Sequence, residues 1–373
     1  MYISPRSGHH SAALAIDKAL RQIDPNTITC LVNSFQYTNP ILEKIISKTY
    51  LGVIQTTPEV WEFLYDNPAI VKNTMTFRKL LHRFNSSKLA KLLTSFNPDA
   101  VVCTQAFPCG MVADYKKTHH LDLPIIAVLT DYCPHSYWIY ENVDAYIVSS
   151  ATAVDRLKKT GISSERIFEF GIPIDMHFTR CPASHQVRSE WGLDPKLPVI
   201  LLMGGSQGLG PLKELVNELD QLPESFQMVI VCGGNTSIKR WLERHQTKFR
   251  KKISFFGYIR GINELMSVSV VLITKPGGLT SAEALAQRLP MIIINPIPGQ
   301  EAQNTRILLN RRVAMEAVDA RESALLTQRL LRNSSLVQQM RESARQMARP
   351  HSAIETAALT LRLARSRSIL VET

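Results

Sequence analysis

The chain has 373 residues, about twice the length of a typical domain, and 45% of them are hydrophobic, which is enough for two buried cores. No segment approaches the ~20 apolar residues of a transmembrane helix, and the N-terminus lacks the pattern of a secretory signal, so we expect a cytoplasmic protein. The net charge of +11 predicts an anionic partner, either a membrane surface or nucleic acid. Six cysteines without a C-x-x-C pair argue against disulfides and zinc ligation.

The N-terminal segment 7–13 has the sequence Ser-Gly-His-His-Ser-Ala-Ala and precedes an amphipathic helix. An unperturbed imidazole has a pKa of roughly 6.5, so His9 can accept a proton from a hydroxyl group at cytoplasmic pH. The alternative is that His9 caps the helix or is solvated, as we expect for His10. Only Met1, Tyr2 and Ile3 are available for a strand before this loop, so the first strand is short or starts upstream.

Along the rest of the chain, short apolar runs alternate with helix-like stretches. Continuous apolar runs separated by helices predict parallel strands that are covered on both faces. The expected fold class is therefore α/β, with two Rossmann-like domains that face each other across a cleft. The predicted strands are Thr29–Val32, Ala100–Cys103, Ile125–Leu129 and Ala145–Val148 in the first half, and Val199–Met203, Met228–Val231, Val270–Ile273 and Met291–Ile294 in the second.

The segment from Leu51 to Phe96 mixes aromatic with basic residues and has no acidic residue between Lys72 and Lys91. Aromatic rings and cations at helical spacing are typical of a membrane interface, with Arg78, Lys79 and Arg83 on anionic headgroups. The alternative is a core helix with a solvated basic face. Nucleic acid is the other usual partner of a basic surface, but no nucleic-acid-binding module is recognisable, so we predict a membrane surface and no nucleic acid.

A second polar cluster follows the predicted strand that starts at Ile125. Here the segment 130–138 has the pattern Thr-Asp-x-x-x-His-x-x-Trp. Ligands bind beyond the carboxyl ends of parallel strands, so we expect Asp131, His135 and Trp138 to face the cleft on the acceptor side. Asp131 either orients His9 or accepts the proton itself, provided that the cleft raises its pKa. The alternative for Asp131 is a cap on the following loop.

Prolines mark the boundary between the two predicted domains. The segment from 179 to 198 contains Pro182, Pro195 and Pro198 and no apolar run, which is typical of a linker. The predicted organisation is an N-terminal domain over 1–178, the linker over 179–198, a C-terminal domain over 199–345 and a C-terminal helix over 346–373.

The C-terminal domain opens with a strand that runs into the glycine-rich turn 204–208. Pro211 suits an early helical position, so the helix N-terminus is expected to point at the turn and to favour an anion near Gly205 and Ser206. A glycine-rich turn can also be a simple strand-to-helix connection. The later turns at 232–235 and 256–258 can equally be simple turns.

The most informative stretch is 274–283, Thr-Lys-Pro-Gly-Gly-Leu-Thr-Ser-Ala-Glu, followed by Pro-Gly-Gln-Glu at 298–301. The glycine pair lets the backbone approach a ligand, and the helix start behind it offers N–H groups to phosphate. A carboxylate early in that helix can accept hydrogen bonds from both ribose hydroxyls, and the later Gln-Glu pair can bind sugar hydroxyls. The predicted sugar-nucleotide pocket consists of Gly205, Ser206, Gly277, Gly278, Glu283, Gln300 and Glu301.

These segments resemble the glycosyltransferases of the monogalactosyldiacylglycerol synthase and processive diacylglycerol glucosyltransferase type, which are related to the lipid-II N-acetylglucosaminyltransferase. The resemblance extends from about Ser7 to Asn304 and includes Gly-Ile-Pro at 171–173. It implies the GT-B architecture, with the glycine pair at the diphosphate, Glu283 at the ribose and the Gln-Glu pair at the hexose. His9 matches the histidine of the family's Gly-His-x-x-Ala-Ala element.

The resemblance implies an inverting transfer of glucose or galactose from a UDP-sugar to diacylglycerol or a related lipid, by a protein peripheral to the inner face of the cell membrane. His9, with Asp131, would deprotonate the acceptor. The UDP-sugar is a substrate, and we expect no cofactor and no metal, since the chain has no Asp-x-Asp motif. The alternatives are N-acetylglucosaminyl transfer to a polyprenyl-linked precursor, a soluble two-Rossmann UDP-sugar epimerase, and a catalytically inactive binding protein.

Overall fold

The structure is a computed structural model that describes residues 1–4, 7–38, 87–180, 182–297 and 299–371. It divides into two compact units. Unit 1 consists of Met1–Asp175, Ile297–Gln300 and His351–Thr373, and unit 2 of Met176–Pro296 and Glu301–Pro350. The basic segment with Arg78, Lys79 and Arg83 lies outside the described residues.

Unit 1 contains a four-stranded parallel sheet in the order β1-β2-β3-β4. Its strands are β1 (Val101–Cys103), β2 (Ile125–Val128), β3 (Ala145–Ile147) and β4 (Ile167–Phe168). The helices of this unit are α1 (Gly8–Ile23), α2 (Ser34–Thr38), α3 (Ala106–His119), α4 (Ala151–Lys159) and, at the end of the chain, α13 (Ser352–Val371), and residues 87–96 are also helical.

Helix α1 begins at Gly8, inside the segment predicted to precede it, because Ser7 and not His9 caps it. The Ser7 side chain accepts a hydrogen bond from the backbone N–H of His10 at 3.2 Å. The apolar positions of α1 recur at helical spacing, and they bury one stripe against the sheet and α13. This packing fixes His9 as the second residue of a helix that is held along its length; the buried stripe is Ala12, Ala15, Ile16, Ala19 and Leu20.

The predicted strand Thr29–Val32 is wrong, since these residues are not part of a sheet ladder. The chain makes a single parallel bridge between Tyr2 and Asn33, in which Tyr2 N–H donates to Val32 O at 3.0 Å. Cys30 is exposed and Leu31 is 39% exposed, so the run that suggested a buried strand lies partly on the surface. The short N-terminal strand is likewise reduced to this bridge.

Unit 2 contains a six-stranded parallel sheet in the order β10-β9-β8-β5-β6-β7. All four predicted strands of this half form, and two more lie at the edges. A search for continuous apolar runs does not find these edge strands, because β7 begins with an exposed lysine and β10 contains an exposed glutamate. The strands are β5 (Val199–Met203), β6 (Gln227–Val231), β7 (Lys252–Phe256), β8 (Ser269–Thr274), β9 (Met291–Ile294) and β10 (Ala314–Ala317).

Eight helices are described in the middle and later part of the chain, between residues 184 and 347, and those that lie between two strands return the chain to the next parallel strand. They are α5 (Ser184–Glu190), α6 (Leu212–Asp220), α7 (Thr236–His245), α8 (Ile262–Val268), α9 (Gly278–Ala286), α10 (Gln300–Asn310), α11 (Ala320–Arg332) and α12 (Ser334–Met347). Among the described residues, no helix has both the length and the apolar character that crossing a bilayer requires.

The domain boundaries differ from the predicted ones in two places. The segment 179–198, predicted as a linker, is part of unit 2 and contains α5. It is anchored there because Val187 is buried and the Trp191 indole N–H donates to Glu264 at 2.8 Å. Helix α13 packs on α1 and the sheet of unit 1, where Ala353 and Ala357 are fully buried. Helix α13 therefore belongs to unit 1, although unit 2 separates it in sequence from the rest of that unit.

Candidate functional site

In unit 1, the ring of His9 is held by a hydroxyl group at the carboxyl end of a strand. His9 Nδ1 lies 2.8 Å from Thr130 Oγ1, and Thr130 follows β2. The backbone carbonyl of His9 accepts a hydrogen bond from Thr104 Oγ1 at 2.8 Å, and Thr104 follows β1. Both threonines are buried. The start of α1 is therefore fixed to the edge of the sheet where ligands of parallel α/β folds bind.

The surrounding protein lowers the pKa of His9 from 6.5 to about 4, because burial of the ring penalises its charged form, while a hydrogen bond to the backbone of Thr104 acts in the opposite direction. The imidazole is therefore neutral at pH 7. When Nδ1 carries the proton and donates it to Thr130, Nε2 keeps a lone pair that can accept a proton from a substrate hydroxyl. Sequence reasoning quoted Thr130 within a motif but gave it no role.

The loop that carries Asp131 is held by two serines. Ser149 Oγ donates to the carbonyl oxygen of Asp131 at 2.9 Å, and Ser150 Oγ donates to that of Tyr132 at 2.6 Å. Burial raises the pKa of the Tyr132 hydroxyl, and the charge of the neighbouring Asp131 raises it further. Asp131 is half-buried at the carboxyl end of β2, next to the residue that contacts His9. Its part in orienting His9 or in taking the proton stays a prediction.

The other two predicted acceptor-side residues differ in exposure. His135 is half-buried, and its ring centroid lies 5.7 Å from that of Tyr137 and 6.1 Å from that of Trp138. Trp138 is only 3% exposed and packs in the hydrophobic core of unit 1. Its large apolar ring is used for core packing, and its place on the acceptor side stays a prediction.

In unit 2, the glycine-rich turn after β5 is packed against the turn after β6. Gly205 and Gly208 have φ values of +67° and +62°, which favour glycine, and a Cβ at Gly208 would overlap the carbonyl oxygen of Cys232. Gly234 N–H donates to the carbonyl of Ser206 at 2.8 Å, and Asn235 Nδ2 donates to that of Gly208 at 3.0 Å. The backbone of Gly205 and Ser206 is thereby fixed by a segment that the sequence left ambiguous.

The connection from β8 to α9, unlike the glycine-rich turn after β5, has open space beside its first glycine. Helix α9 begins at Gly278, and its N-cap, Gly277, has φ −64° and provides no side-chain cap. A Cβ at Gly277 would have no neighbour within 4 Å in the structure as described. Glycine is therefore not required there by the fold, and it leaves room in front of the helix N-terminus, where N–H groups can bind an anion. Glu283 is half-buried in the second turn of the same helix.

The predicted hexose-binding pair, Gln300 and Glu301, lies at the start of α10, the helix that follows β9. Glu301 is 9% exposed, and its Oε1 lies 2.5 Å from the Nζ of Lys275, the first residue after β8. Asn304 is fully buried, and its Nδ2 donates to the carbonyl of Pro276 at 3.1 Å. Helix α10 is thus joined to the β8–α9 connection by two contacts. Gln300 is the first residue of α10 and is half-buried.

The Lys275 side chain lies near two parts of the predicted donor pocket, the turn at Gly205 and the start of α10. Its Cε would lie 3.1 Å from a Cβ at Gly205, so the side chain passes close to the first glycine-rich turn and ends at Glu301. Strands β5 and β8 are neighbours, which explains how turns 70 residues apart in sequence meet. Sequence reasoning missed Lys275, although a cation between a strand end and a glycine pair is a recognisable signal for an anion site.

Two family models match the chain, and together they cover most of it. Residues 9–174 match monogalactosyldiacylglycerol (MGDG) synthase, and residues 199–365 match the glycosyltransferase family 28 C-terminal domain. Among curated proteins, a processive diacylglycerol beta-glucosyltransferase of Bacillus cereus (strain AH187) is 31% identical over 353 residues, covering 93% of this chain and 88% of the relative. One from Bacillus cytotoxicus is 30% identical over 349 residues, with the same coverage.

Solved structures show the fold. MurG of Acinetobacter baumannii is 16% identical and matches with a TM-score of 0.61, covering 97% of this chain and 98% of that one. Anabaena Alr3699/HepE, solved in complex with UDP-glucose, is 15% identical and matches with a TM-score of 0.52, covering 74% and 82%. The two parallel α/β units are thus those of the GT-B architecture. With its strand-end glycine turns and the sequence identity above, the chain belongs to the glycosyltransferase family of the monogalactosyldiacylglycerol synthases and processive diacylglycerol glucosyltransferases.

Proposed function

We propose that the protein transfers a hexose, glucose or galactose, from a UDP-sugar to the hydroxyl of diacylglycerol or a related membrane lipid, with inversion at the anomeric carbon. The acceptor class is supported by the names of the relatives, which are processive diacylglycerol beta-glucosyltransferases. The observation that carries the donor class is the meeting of Gly205, Lys275 and Glu301 at the carboxyl ends of β5 and β8, beside the open N-terminus of α9.

In this proposal, residues that follow β5, β8 and β9 in the chain bind the donor. The N–H groups at the start of α9 face the diphosphate, and Gly277 leaves the space for it. Glu283 accepts hydrogen bonds from the two ribose hydroxyls. Gln300 and Glu301 bind the hexose hydroxyls, and the turn at Gly205 and Ser206 contributes backbone groups to the diphosphate or the sugar.

The chemistry proposed is a single displacement. The acceptor oxygen bonds to the anomeric carbon as the bond from that carbon to the UDP oxygen breaks, and the acceptor proton passes to Nε2 of His9. The low pKa of His9 keeps Nε2 available at pH 7, and Thr130 orients the ring. The negative charge that develops on UDP is stabilised by helix-terminal N–H groups. Asp131 either orients the His9 ring or accepts the acceptor proton itself.

The membrane contact belongs to the same proposal. The aromatic and basic segment with Arg78, Lys79 and Arg83 would place the protein on the anionic inner face of the cell membrane, where diacylglycerol resides as a substrate. The net charge of +11 supports this partner.

The test is direct. The purified protein is incubated separately with labelled UDP-glucose, UDP-galactose and UDP-N-acetylglucosamine in mixed micelles that contain diacylglycerol and phosphatidylglycerol, and the lipids are extracted. We expect label in a glycolipid with glucose or galactose. Label from UDP-N-acetylglucosamine in a polyprenyl-linked acceptor would favour the alternative transfer, and conversion of the sugar without any labelled lipid would favour an epimerase.

A further inference from the structure

The ion pair between Lys275 and Glu301 is placed where a phosphate-binding group would be needed. Lys275 Nζ and Glu301 Oε1 are 2.5 Å apart, and the two side chains are 22% and 12% exposed. Lys275 follows β8 directly and lies between the glycine-rich turn at Gly205 and the open helix start at Gly277. Its ammonium is therefore a largely desolvated positive charge between two backbone turns at the carboxyl edge of the sheet.

A purely structural role does not account for this pair. A buried ion pair contributes little net stability, because removing two charges from water offsets much of their attraction. The connection it spans is already held by the fully buried Asn304, whose Nδ2 donates to Pro276 O. A lysine at this position is better explained by an anion that it meets.

We propose that Lys275 binds the diphosphate of the donor and that Glu301 is a positioning residue, which holds the ammonium over the Gly205 turn until the donor arrives. The proposal rests on the UDP-sugar function proposed above. On binding, the ammonium pairs with a phosphate oxygen, and the Glu301 carboxylate becomes able to accept a hydrogen bond from a hexose hydroxyl. A compact ammonium suits this exchange, since it can face either oxygen by rotation of its flexible stem.

The proposal predicts a dependence on the number of phosphates. Uridine, UMP and UDP share the base and ribose but differ in negative charge. Calorimetry on the full chain should show that Lys275→Met lowers UDP affinity about 10-fold to 100-fold, lowers UMP affinity less, and changes uridine affinity less than 2-fold. Glu301→Gln should bind UDP at least as tightly as wild type, because it frees the ammonium, but should turn over UDP-hexose more slowly.

Lys213→Met is the matched control. Lys213 is a half-buried cation of unit 2 whose Nζ lies over the Trp241 ring, 5.9 Å from its centroid, so the substitution removes one charge outside the predicted donor pocket. UDP affinity in this variant should be within 2-fold of wild type. If Lys213→Met and Lys275→Met lost UDP affinity equally, net charge would explain the effect and the proposal would be overturned.

The remaining outcomes separate the two proposals. If wild type binds none of the three uridine ligands, the donor assignment fails. If wild type binds UDP and Lys275→Met binds it equally well, the Lys275 assignment alone fails. If Lys275→Met and Glu301→Gln lose uridine and UDP to the same extent, the ion pair is structural. Thermal melts of each variant show whether a loss of binding comes with a loss of folding.

Discussion

His9 and Thr130 are joined by a contact of 2.8 Å between Nδ1 and Oγ1, which links the first helix of the chain to the end of β2. The two residues are 121 positions apart in sequence. Because the hydroxyl engages one ring nitrogen and α1 packs on the sheet, the orientation of the His9 ring is fixed. In the proposed transfer, His9 is the general base, so this contact sets the geometry of the group that would take the acceptor proton.

His9→Ala should lower kcat by roughly 10²-fold to 10⁴-fold and leave UDP binding nearly unchanged, since a general base acts on the acceptor proton and not on the nucleotide. Asp131→Asn should also reduce kcat. Steady-state kinetics with diacylglycerol, beside calorimetry with UDP, measures both effects. Near-wild-type turnover in His9→Ala would transfer the role of base to Asp131 or His135.

The contribution of Thr130 can be separated from that of its loop. Thr130→Val removes the hydroxyl that holds the His9 ring and should lower kcat about 10-fold with little change in KM, because the ring loses its fixed orientation. Ser149→Ala is the matched control, since Ser149 donates to the backbone of Asp131 in the same loop. Equal effects of the two substitutions would show that loop position, and not ring orientation, controls the rate.

The low pKa of His9 predicts an unusual acid limb in the pH dependence. Since His9 titrates near pH 4 instead of 6.5 in the folded protein, kcat should stay high from pH 7 to about 5 and fall only below that. The unfolded chain takes up this proton near pH 6.5 and the folded chain near 4, so the free energy of unfolding falls as pH drops through this window. The loss from this group is on the order of 2–3 kcal/mol.

The measurement is a pH–rate profile together with urea unfolding between pH 7 and 4, compared with His9→Gln. The glutamine keeps a neutral polar group beside Thr130 and cannot take up the proton. Wild type should lose more stability than His9→Gln over this range. Parallel stability curves, or an acid limb centred near pH 6.5, would contradict the lowered pKa.

Glu283→Ala should weaken UDP binding by about 1.5–3 kcal/mol, because both ribose hydroxyls lose a charged acceptor. Calorimetry with UDP gives the value. Glu214→Ala is a suitable control, as Glu214 is an exposed glutamate in the first turn of α6 in the same unit. Unchanged UDP affinity in folded Glu283→Ala would rule out the ribose assignment.

Two glycines of unit 2 should respond to the same substitution in opposite ways. Gly208→Ala should destabilise the protein by at least about 1–3 kcal/mol, because φ is +62° and the new methyl group would overlap the Cys232 carbonyl. Gly277→Ala should leave the melting temperature nearly unchanged but weaken UDP binding, since its methyl group enters the space in front of α9. Thermal melts and UDP calorimetry on both variants test this. Full UDP affinity in Gly277→Ala would show that the space does not hold the diphosphate.

Binding to liposomes should require anionic lipid and weaken with salt. Each Lys or Arg near an anionic surface contributes about 1 kcal/mol, so changing Arg78, Lys79 and Arg83 to Glu should abolish co-sedimentation with phosphatidylglycerol vesicles. The control changes Lys239, Arg240 and Arg244 to Glu, three exposed cations of α7 in unit 2. If only the control variant lost binding, α7 would be the membrane-binding surface. If all variants pelleted equally, neither segment would bind the membrane.

Local patterns were sufficient for much of the fold. Fully buried runs such as Val199–Met203 and Met291–Ile294 predict parallel strands, since only a sheet covered on both faces keeps consecutive apolar side chains from water. The glycine turns and the cap at Ser7 are equally local, because a positive φ or an N-cap involves a few adjacent residues. The sequence by itself therefore determined the α/β class, the strand ends that carry the polar residues, and the family.

Long-range packing decided the rest. Thr29–Val32 has an apolar run but joins no ladder, whereas β7 and β10 form at sheet edges despite their charged residues, since edge strands bury less of each side chain. The contacts of Thr130 with His9 and of Lys275 with Glu301 connect residues 121 and 26 positions apart. No local pattern specifies such pairs, because they follow from strand order and from burial, which exist only once the chain is folded.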